Sequence, residues 1–144
     1  MRFSIDINRP SGEVFAYVAQ LDRHGEWQED VVSARMEPAG TARVGTRNIE
    51  VRRVPGGPRE IISEVTECDP PRRIAARGLG GPIRAQVALN VEPLGDARAR
   101  VTMEVELLGY GIGRIFVIFA RRHAKQQVPR DLAQLKGLLE RSGA

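Results

Sequence analysis

The sequence contains few side chains that could move a proton or neutralise a charge inside an apolar fold. His123 could supply a titratable imidazole, Arg47 a cation for an acidic ligand, and Tyr110 a hydroxyl donor. Each also has a plainer interpretation: a satisfied histidine at a helix boundary, a solvated strand arginine, and an anchor for a glycine-rich hinge. Because no serine–histidine or paired-carboxylate arrangement accompanies them, the catalytic residues stay unassigned.

Thiol, metal and nucleotide chemistry have no supporting pattern in the sequence. Cys68 is the single cysteine and lies between two acidic residues, an environment that disfavours a reactive thiolate. His24 and His123 do not have the spacing of metal ligands. The glycines at 109, 111 and 113 follow a predicted antiparallel strand, so they lack the βαβ context of a dinucleotide loop. No metal and no cofactor are therefore expected.

Composition favours one globular domain over residues 1–144, with 42% hydrophobic and 28% charged residues. The net charge of +4 and the pI of about 10.0 would suit nucleic acid or an anionic surface. The arginines are scattered, however, and aromatic residues make up only 5%, so nucleic-acid binding is not expected. The longest apolar run, Ile115–Ala120, is too short for an integral membrane span, and no secretory signal is visible, which favours a cytoplasmic protein.

The hydrophobic period predicts the secondary structure. A strand over Arg2–Asn8 precedes a helix that Pro10 opens and that Asn8 or Ser11 caps, and then a second short helix. Further strands are predicted over Val31–Pro38, Val44–Val54, Glu60–Cys68, Arg72–Arg77, Ile83–Val91 and Val101–Leu107. A helical period returns near Ile112, and Pro129 is expected to kink or interrupt that last helix. The fold class is therefore α+β, with an antiparallel meander between two helical ends.

Several short motifs occur in an order that is typical of one protein family. They are the helix start Pro10–Val18, Trp27, Val44-Gly45, Glu64-Val65, the turn Asp69–Arg73 and the C-terminal Leu135–Glu140. Over residues 2–141 the sequence resembles the polyketide cyclase/dehydrase and lipid-transport family of the START-type (SRPBCC) superfamily. The resemblance implies a helix-grip fold, in which a curved antiparallel sheet wraps around a long C-terminal helix with a cavity between them. That family has no universal catalytic set, so no catalytic residue is transferred.

Within such a fold, alternation along the strands and the helical period select the residues that would line the cavity. The predicted ligand-binding residues are Trp27, Arg47, Ile49, Val51, Val87, Leu89, Met103, Val105, Ile115, Phe116, Phe119 and His123. This mostly apolar set suits a lipophilic ligand. The alternative is that the apolar members simply fill the core, with Trp27 as an aromatic plug and not a lid.

These observations predict a protein that binds a small hydrophobic or aromatic ligand, lipid-like or polyketide-like. The first alternative is a cyclase or dehydratase with an acid–base group in the cavity and no metal or nucleotide cofactor. The second alternative is a protein-interaction module that docks an acidic partner through exposed arginines or dimerises through a sheet edge. The sequence leaves both a monomer and a homodimer open.

Overall fold

The computed structural model describes residues 1–142, which form an α+β fold around a seven-stranded antiparallel sheet. The strands are β1 (Arg2–Ile7), β2 (Val31–Glu37), β3 (Arg47–Val54), β4 (Gly57–Asp69), β5 (Arg73–Gly78), β6 (Ile83–Pro93) and β7 (Ala99–Gly109). The helices are α1 (Ser11–Val18), a short 3-10 helix (Leu21–Glu26) and the long α2 (Gly113–Ser142). The order confirms the predicted α+β helix-grip fold, with two short helices after the first strand.

The sheet order is β1-β7-β6-β5-β4-β3-β2, so the first strand pairs with the last. The register places Phe3 opposite Met103, Met103 opposite Leu89, and Leu89 opposite Ile74. Directly opposed residues share one face of a sheet. These four side chains pack in the core together with residues of α1 and α2. We call the face that carries them the inner face and the other the outer face.

The C-terminal half of α2 closes the core against the inner face. Its buried residues Val128, Leu132, Leu135 and Leu139 recur at helical spacing, and α2 packs chiefly against β1 and β7. The guanidinium of Arg9 fastens the helix end, because Nε donates to the Leu139 oxygen at 3.0 Å and Nη2 donates to the Glu140 oxygen at 2.8 Å. No helix within residues 1–142 is long and apolar enough to cross a bilayer.

The turn between β7 and α2 requires glycine because backbones approach closely there. A Cβ atom on Gly113 would overlap the carbonyl of Pro82, and one on Gly109 would overlap the carbonyl of Gly113. Gly111 adopts a φ of +58°, a region that glycine enters without a side-chain penalty. The glycine series therefore has a packing role: it brings the start of α2 against the β5–β6 turn.

Three local expectations were wrong. Neither Asn8 nor Ser11 caps α1: Pro10 is the N-cap residue, and no side chain among residues 1–142 makes a capping hydrogen bond. Strand β3 begins at Arg47 and not at Val44, because the chain turns through Gly45 with a φ of +92°. Pro129 lies inside a continuous α2 and does not interrupt it, while the alternative of a kink stays a prediction. It lies on the exposed side of the helix, where the Lys125 carbonyl that loses its partner can be hydrated.

Candidate functional site

The register of β3 decides which of its side chains enter the fold. Asn48 pairs with Ser63 and Glu50 with Ile61, and Ser63 precedes the buried inner-face residue Val65 by two positions on β4. A strand alternates its side chains between faces. Asn48 and Glu50 therefore lie on the inner face, as does the next residue of the same parity, Arg52.

The predicted wall residues Arg47, Ile49 and Val51 consequently lie on the outer face, and their assignment to the cavity wall is corrected. Ile49 is apolar and only 6% exposed, although it lies on the outer face. It lies opposite Arg35 on β2 and opposite Ile62 on β4, so neighbouring side chains on the outer face can cover it.

The inner face of β3 contributes instead to a buried group of polar residues. We call it the inner polar cluster, and it consists of His24, Gln28, Asn48, Glu50 and Arg52. The Glu50 carboxylate accepts from Asn48 Nδ2 at 2.7 Å and from Arg52 Nε at 2.8 Å. Arg52 Nη2 donates to the Gln28 side-chain oxygen. The pair is largely desolvated, since the Glu50 side chain is 10% exposed and that of Arg52 is 30% exposed.

The 3-10 helix brings His24 into this cluster. His24 Nδ1 lies 4.0 Å from Glu50 Oε1, and its ring meets the Trp27 ring edge-on at 5.2 Å between centroids. Burial lowers the pKa of His24. The hydrogen bond to the Val18 backbone and the charge of Glu50 raise this pKa, but their effect is smaller than that of burial. The histidine is therefore a neutral, buried hydrogen-bonding group.

Two buried polar atoms in this region have no hydrogen-bond partner among the residues that the structure describes. They are the indole Nε1 of Trp27 and the side-chain oxygen Oδ1 of Asn48. The identity of the Asn48 oxygen is fixed by chemistry, because its amide nitrogen is the atom that donates to Glu50. An unpaired buried donor or acceptor costs about 1–3 kcal/mol, so both atoms are candidates for pairing with a ligand.

A second group of polar residues lies where α2 meets the segment between the 3-10 helix and β2. Asp131 Oδ1 accepts from the backbone nitrogen of Glu29 at 3.2 Å and from Gln127 Nε2 at 2.8 Å. Burial is the main cause that raises the pKa of Asp131, and these two hydrogen bonds oppose it. His123 Nε2 lies 2.7 Å from Asp30 Oδ2 at the more exposed end of the same contact.

Four predicted wall residues do lie on the inner face. The register places Val87 opposite Val105 and Leu89 opposite Met103. Leu89, Met103 and Val105 are no more than 7% exposed, and Val87 is partly buried against the same core. Trp27 is 1% exposed, which places it inside the core and not at a mouth. These positions fit a packed interior as well as a cavity wall, so a ligand role for them stays a prediction.

The predicted residues of α2 are the most exposed of the set. Ile115, Phe116 and Phe119 are 50–65% exposed, and the His123 side chain is 59% exposed. Tyr110 is also exposed, with the Arg84 guanidinium 4.1 Å from its ring centre. The three acid–base candidates from the sequence therefore lie outside the buried region, since Arg47 is on the outer face.

A less completely buried part of the inner face lies on β4, next to the inner polar cluster. Because α2 packs chiefly on β1 and β7, the inner face of β4 is only partly covered at Ile61 and Ser63. These residues oppose Glu50 and Asn48 on β3. An apolar molecule that entered here would meet the inner polar cluster.

The outer face carries a groove of about 620 Å³ whose lining includes Glu67, Arg73 and Glu104. Arg73 already donates to Glu67 at 2.6 Å, to Asn90 at 2.8 Å and to Glu104 at 3.2 Å. Its charges satisfy one another, so this groove is a weaker candidate than the inner face. Within residues 1–142, no three His, Cys, Asp or Glu side chains lie close enough together to hold a metal ion.

Sequence reasoning missed the inner polar cluster. The polar residues at 48, 50 and 52 have the alternation of a solvent-facing strand surface, which is their usual meaning. The only indication was the presence of His24 and Gln28 close to Trp27. The sequence did not show which strand residues face them, because that depends on the sheet register.

Comparison with solved structures identifies the same architecture in other proteins. The structure matches the Zhui aromatase/cyclase from Streptomyces sp. R1128 with a TM-score of 0.84 and 13% identity, over 100% of this chain and 94% of that chain. It matches a START superfamily protein from Mycobacterium smegmatis with a TM-score of 0.72 and 13% identity, over 98% and 97% of the two chains.

A two-domain protein is also similar. The di-domain ARO/CYC BexL from the BE-7585A biosynthetic pathway matches with a TM-score of 0.76 and 22% identity, over 97% of this chain and 46% of BexL. This chain therefore spans about half the length of that protein. At these identities the similarity shows the fold alone, and no curated protein matches the sequence.

The family is established by the sequence model that matches it. That model, described as polyketide cyclase/dehydrase and lipid transport, covers residues 1–140. Because this model covers nearly the whole sequence, the chain belongs to the polyketide cyclase/dehydrase and lipid-transport family.

Proposed function

We propose that the protein binds a small hydrophobic or aromatic molecule that carries a carbonyl or hydroxyl group. The apolar part lies between the first half of α2 and the inner face, and the oxygen-bearing end meets the inner polar cluster. A cytoplasmic location and the absence of nucleic-acid binding stay predictions, as does the choice between monomer and homodimer.

The observation that carries the proposal is the largely buried Glu50–Arg52 pair with its polar neighbours, next to the apolar core. A core needs no arginine–carboxylate pair for its packing, and similar pairs often stabilise less than apolar residues of the same volume. The unpartnered Trp27 Nε1 could donate to a ligand carbonyl, and the unpartnered Asn48 Oδ1 could accept from a ligand hydroxyl. A few polar groups in an apolar surround are the usual composition of a small-molecule site.

The proposal is supported by the family to which the chain belongs. The family description names both polyketide cyclisation or dehydration and lipid transport, and these share a hydrophobic, oxygen-containing ligand. The Zhui and BexL proteins are aromatase/cyclases.

The first experiment is native mass spectrometry of gently purified protein, compared with the same sample after denaturation. We expect a discrete excess mass that disappears on denaturation. A second measurement uses 2-naphthol, an aromatic hydroxyl compound, as a probe in calorimetric titration. No excess mass together with no heat of 2-naphthol binding would contradict the proposal.

Strand β3 offers a matched pair of variants for that titration. Arg52→Gln removes a guanidinium from the inner face, and Arg47→Gln removes one from the outer face of the same strand. We expect Arg52→Gln to weaken binding about tenfold, equal to about 1.4 kcal/mol, and Arg47→Gln to leave it unchanged. Equal effects of the two substitutions would place the ligand elsewhere.

The second candidate is an enzyme of the cyclase or dehydratase type, and the proximity of His24 and Glu50 favours it. Ring closure and loss of water both begin with removal of a proton from an acidic C–H, which needs a base inside the apolar site. Glu50 is a carboxylate on the inner face of β3, with its Oε1 atom 4.0 Å from His24 Nδ1. The test is aromatic product formation from a poly-β-ketone, comparing Glu50→Gln with the outer-face variant Glu64→Gln. Equal rates would exclude Glu50 as the base.

A further inference from the structure

The first half of α2 exposes an unusual amount of apolar surface. We call this surface the α2 patch. Its members are Tyr110 and Ile112 in the turn before the helix and Ile115, Phe116, Ile118 and Phe119 on the helix, all 44–65% exposed. Single exposed apolar residues are ordinary, but a contiguous group of bulky ones on one helix marks a surface that contacts something.

The two halves of α2 show that this is a local departure from the normal pattern. In the second half the apolar Leu132, Leu135 and Leu139 are buried, as in any amphipathic helix. In the first half Val117 is buried, while Ile115 and Phe119, on either side of it in sequence, point away from the core at 65% and 60% exposure. The core therefore does not account for the α2 patch.

The same stretch is strongly basic. Residues 107–130 contain Arg114, Arg121, Arg122, Lys125 and Arg130 and no aspartate or glutamate. This segment carries a formal charge of +5, whereas the whole chain carries +4, so the rest of the protein is nearly neutral. The high pI of the protein thus has one local source.

Apolar and basic groups meet directly on this helix. A depression of about 330 Å³ is lined by Ile118, Arg121, Arg122 and Lys125. Arg121 is partly anchored, since its Nη2 donates to the Leu107 oxygen at 2.8 Å, while the side chains of Arg122 and Lys125 are exposed. In this depression the cationic groups of Arg121, Arg122 and Lys125 surround the apolar side chain of Ile118. This arrangement could bind the phosphate of a lipid headgroup next to its acyl chains.

We propose that the α2 patch and its basic residues dock the protein on the surface of a membrane that contains anionic lipids. The bulky side chains enter the boundary between headgroups and acyl chains, and the arginines and lysine bind the headgroups. Tyr110, stacked under Arg84, has the amphipathic character of residues that lie at this boundary.

Charge decides against a second copy of this chain as the occupant. A symmetric dimer through the α2 patch would bring two segments of charge +5 together. An acidic protein or a nucleic acid would match the charge. Binding to either of these would not require solvent-exposed isoleucine and phenylalanine side chains. A lipid surface can bind both parts of the surface, because its acyl chains contact the apolar side chains and its anionic headgroups contact the basic ones.

The test uses the full chain and sedimentation with vesicles of phosphatidylcholine alone or with about 30% phosphatidylserine, an anionic content that gives an attractive surface potential. We expect sedimentation only with the anionic vesicles and a loss of binding as salt is raised. Absence of binding to the anionic vesicles would overturn the proposal, and so would equal binding to both kinds.

Two variants test the two parts of the surface, and a third is the control. Ile115→Ser/Phe119→Ser removes exposed apolar groups, and Arg122→Glu/Lys125→Glu reverses charge in the same segment. Each should reduce the vesicle-bound fraction at least fivefold. Arg43→Glu/Arg47→Glu makes the same charge change at exposed sites near β3 and should retain binding. If the control variant lost vesicle binding to the same extent, net charge alone would explain the binding, and the proposal would be overturned.

A further measurement separates the other occupants. Light scattering after gel filtration would detect a dimer, and a fluorescent single-stranded oligonucleotide would detect nucleic-acid binding. A dimer that Ile115→Ser/Phe119→Ser dissociates, or oligonucleotide binding without vesicle binding, would assign the α2 patch to that partner and overturn the lipid proposal. All the substituted side chains are exposed, so thermal unfolding should confirm that each variant folds.

Discussion

The Nε2 atom of His24 lies 2.9 Å from the backbone oxygen of Val18, the last residue of α1. A carbonyl only accepts, so Nε2 must carry the proton. Nδ1 is then the acceptor for the Gln28 amide at 3.3 Å. A second proton on the ring would remove this acceptor in a buried place. The neutral ring therefore joins α1 to the inner polar cluster.

We predict that the free energy of unfolding falls as pH falls below about 6.5, the ordinary pKa of histidine. The folded pKa of His24 is lowered, so between the two pKa values the unfolded state binds more protons than the folded state. Acid therefore favours unfolding in that window. Urea unfolding at several pH values should show this loss, and His24→Gln should flatten it. An unchanged slope in His24→Gln would show that other groups set the pH dependence.

The Glu50–Arg52 pair should contribute more to stability than a pair in solvent. Glu50→Ala leaves a largely buried guanidinium without its carboxylate and should cost about 1–3 kcal/mol. The control is Glu37→Ala, which breaks the Arg35–Glu37 pair, whose side chains are 62% and 57% exposed. That variant should cost no more than about 0.5 kcal/mol. Similar losses in urea unfolding would mean that the cluster is better hydrated than its burial indicates.

The start of α2 should not tolerate a methyl group. Gly113→Ala would place a carbon against the Pro82 carbonyl, which is backbone and cannot rotate away. We expect a loss of about 1–3 kcal/mol in the free energy of unfolding. Gly12→Ala is the control: it lies in α1 with nothing within 4 Å of the added carbon, and it should stabilise by about 0.5–1 kcal/mol. A neutral Gly113→Ala would show that the β5–β6 turn moves aside easily.

The strands, the helices and the family could be predicted from the sequence because each depends on local pattern. The period of two in Ile83–Val91 and the helical spacing of Leu132, Leu135 and Leu139 are properties of the segment itself. Strand β6 and the buried face of α2 confirm these two patterns.

The candidate site could not be predicted in the same way, because it depends on which face of each element is covered. On β3 the apolar pattern predicts that Ile49 points inward, but Ile49 is buried on the outer face and Glu50 on the inner face. On α2 the helical spacing predicts an apolar stripe that faces the cavity, but Ile115 and Phe119 face solvent. Sequence periodicity shows that a strand or helix has an apolar face. Whether that face packs against the core or faces solvent depends on the tertiary packing.

The same dependence on burial gives Asp131 a pH effect opposite to that of His24. Burial raises the pKa of Asp131 above its ordinary value of 3.8. Between the two values the folded state binds more protons than the unfolded state, so stability is fully present below 3.8 and is lost as pH rises through the folded pKa. The variant Asp131→Asn tests this expectation, because its side-chain oxygen can still accept from the Glu29 backbone nitrogen but the amide cannot ionise.

The variant should therefore unfold at a higher urea concentration than the wild type at neutral pH, and the difference should shrink toward acid. The control is Asp96→Asn, an exposed residue in the β6–β7 turn, whose stability curve should follow the wild type throughout. If Asp131→Asn instead destabilises the protein at neutral pH, the charge of Asp131 is needed, and its attraction to Arg52 outweighs the cost of burying it.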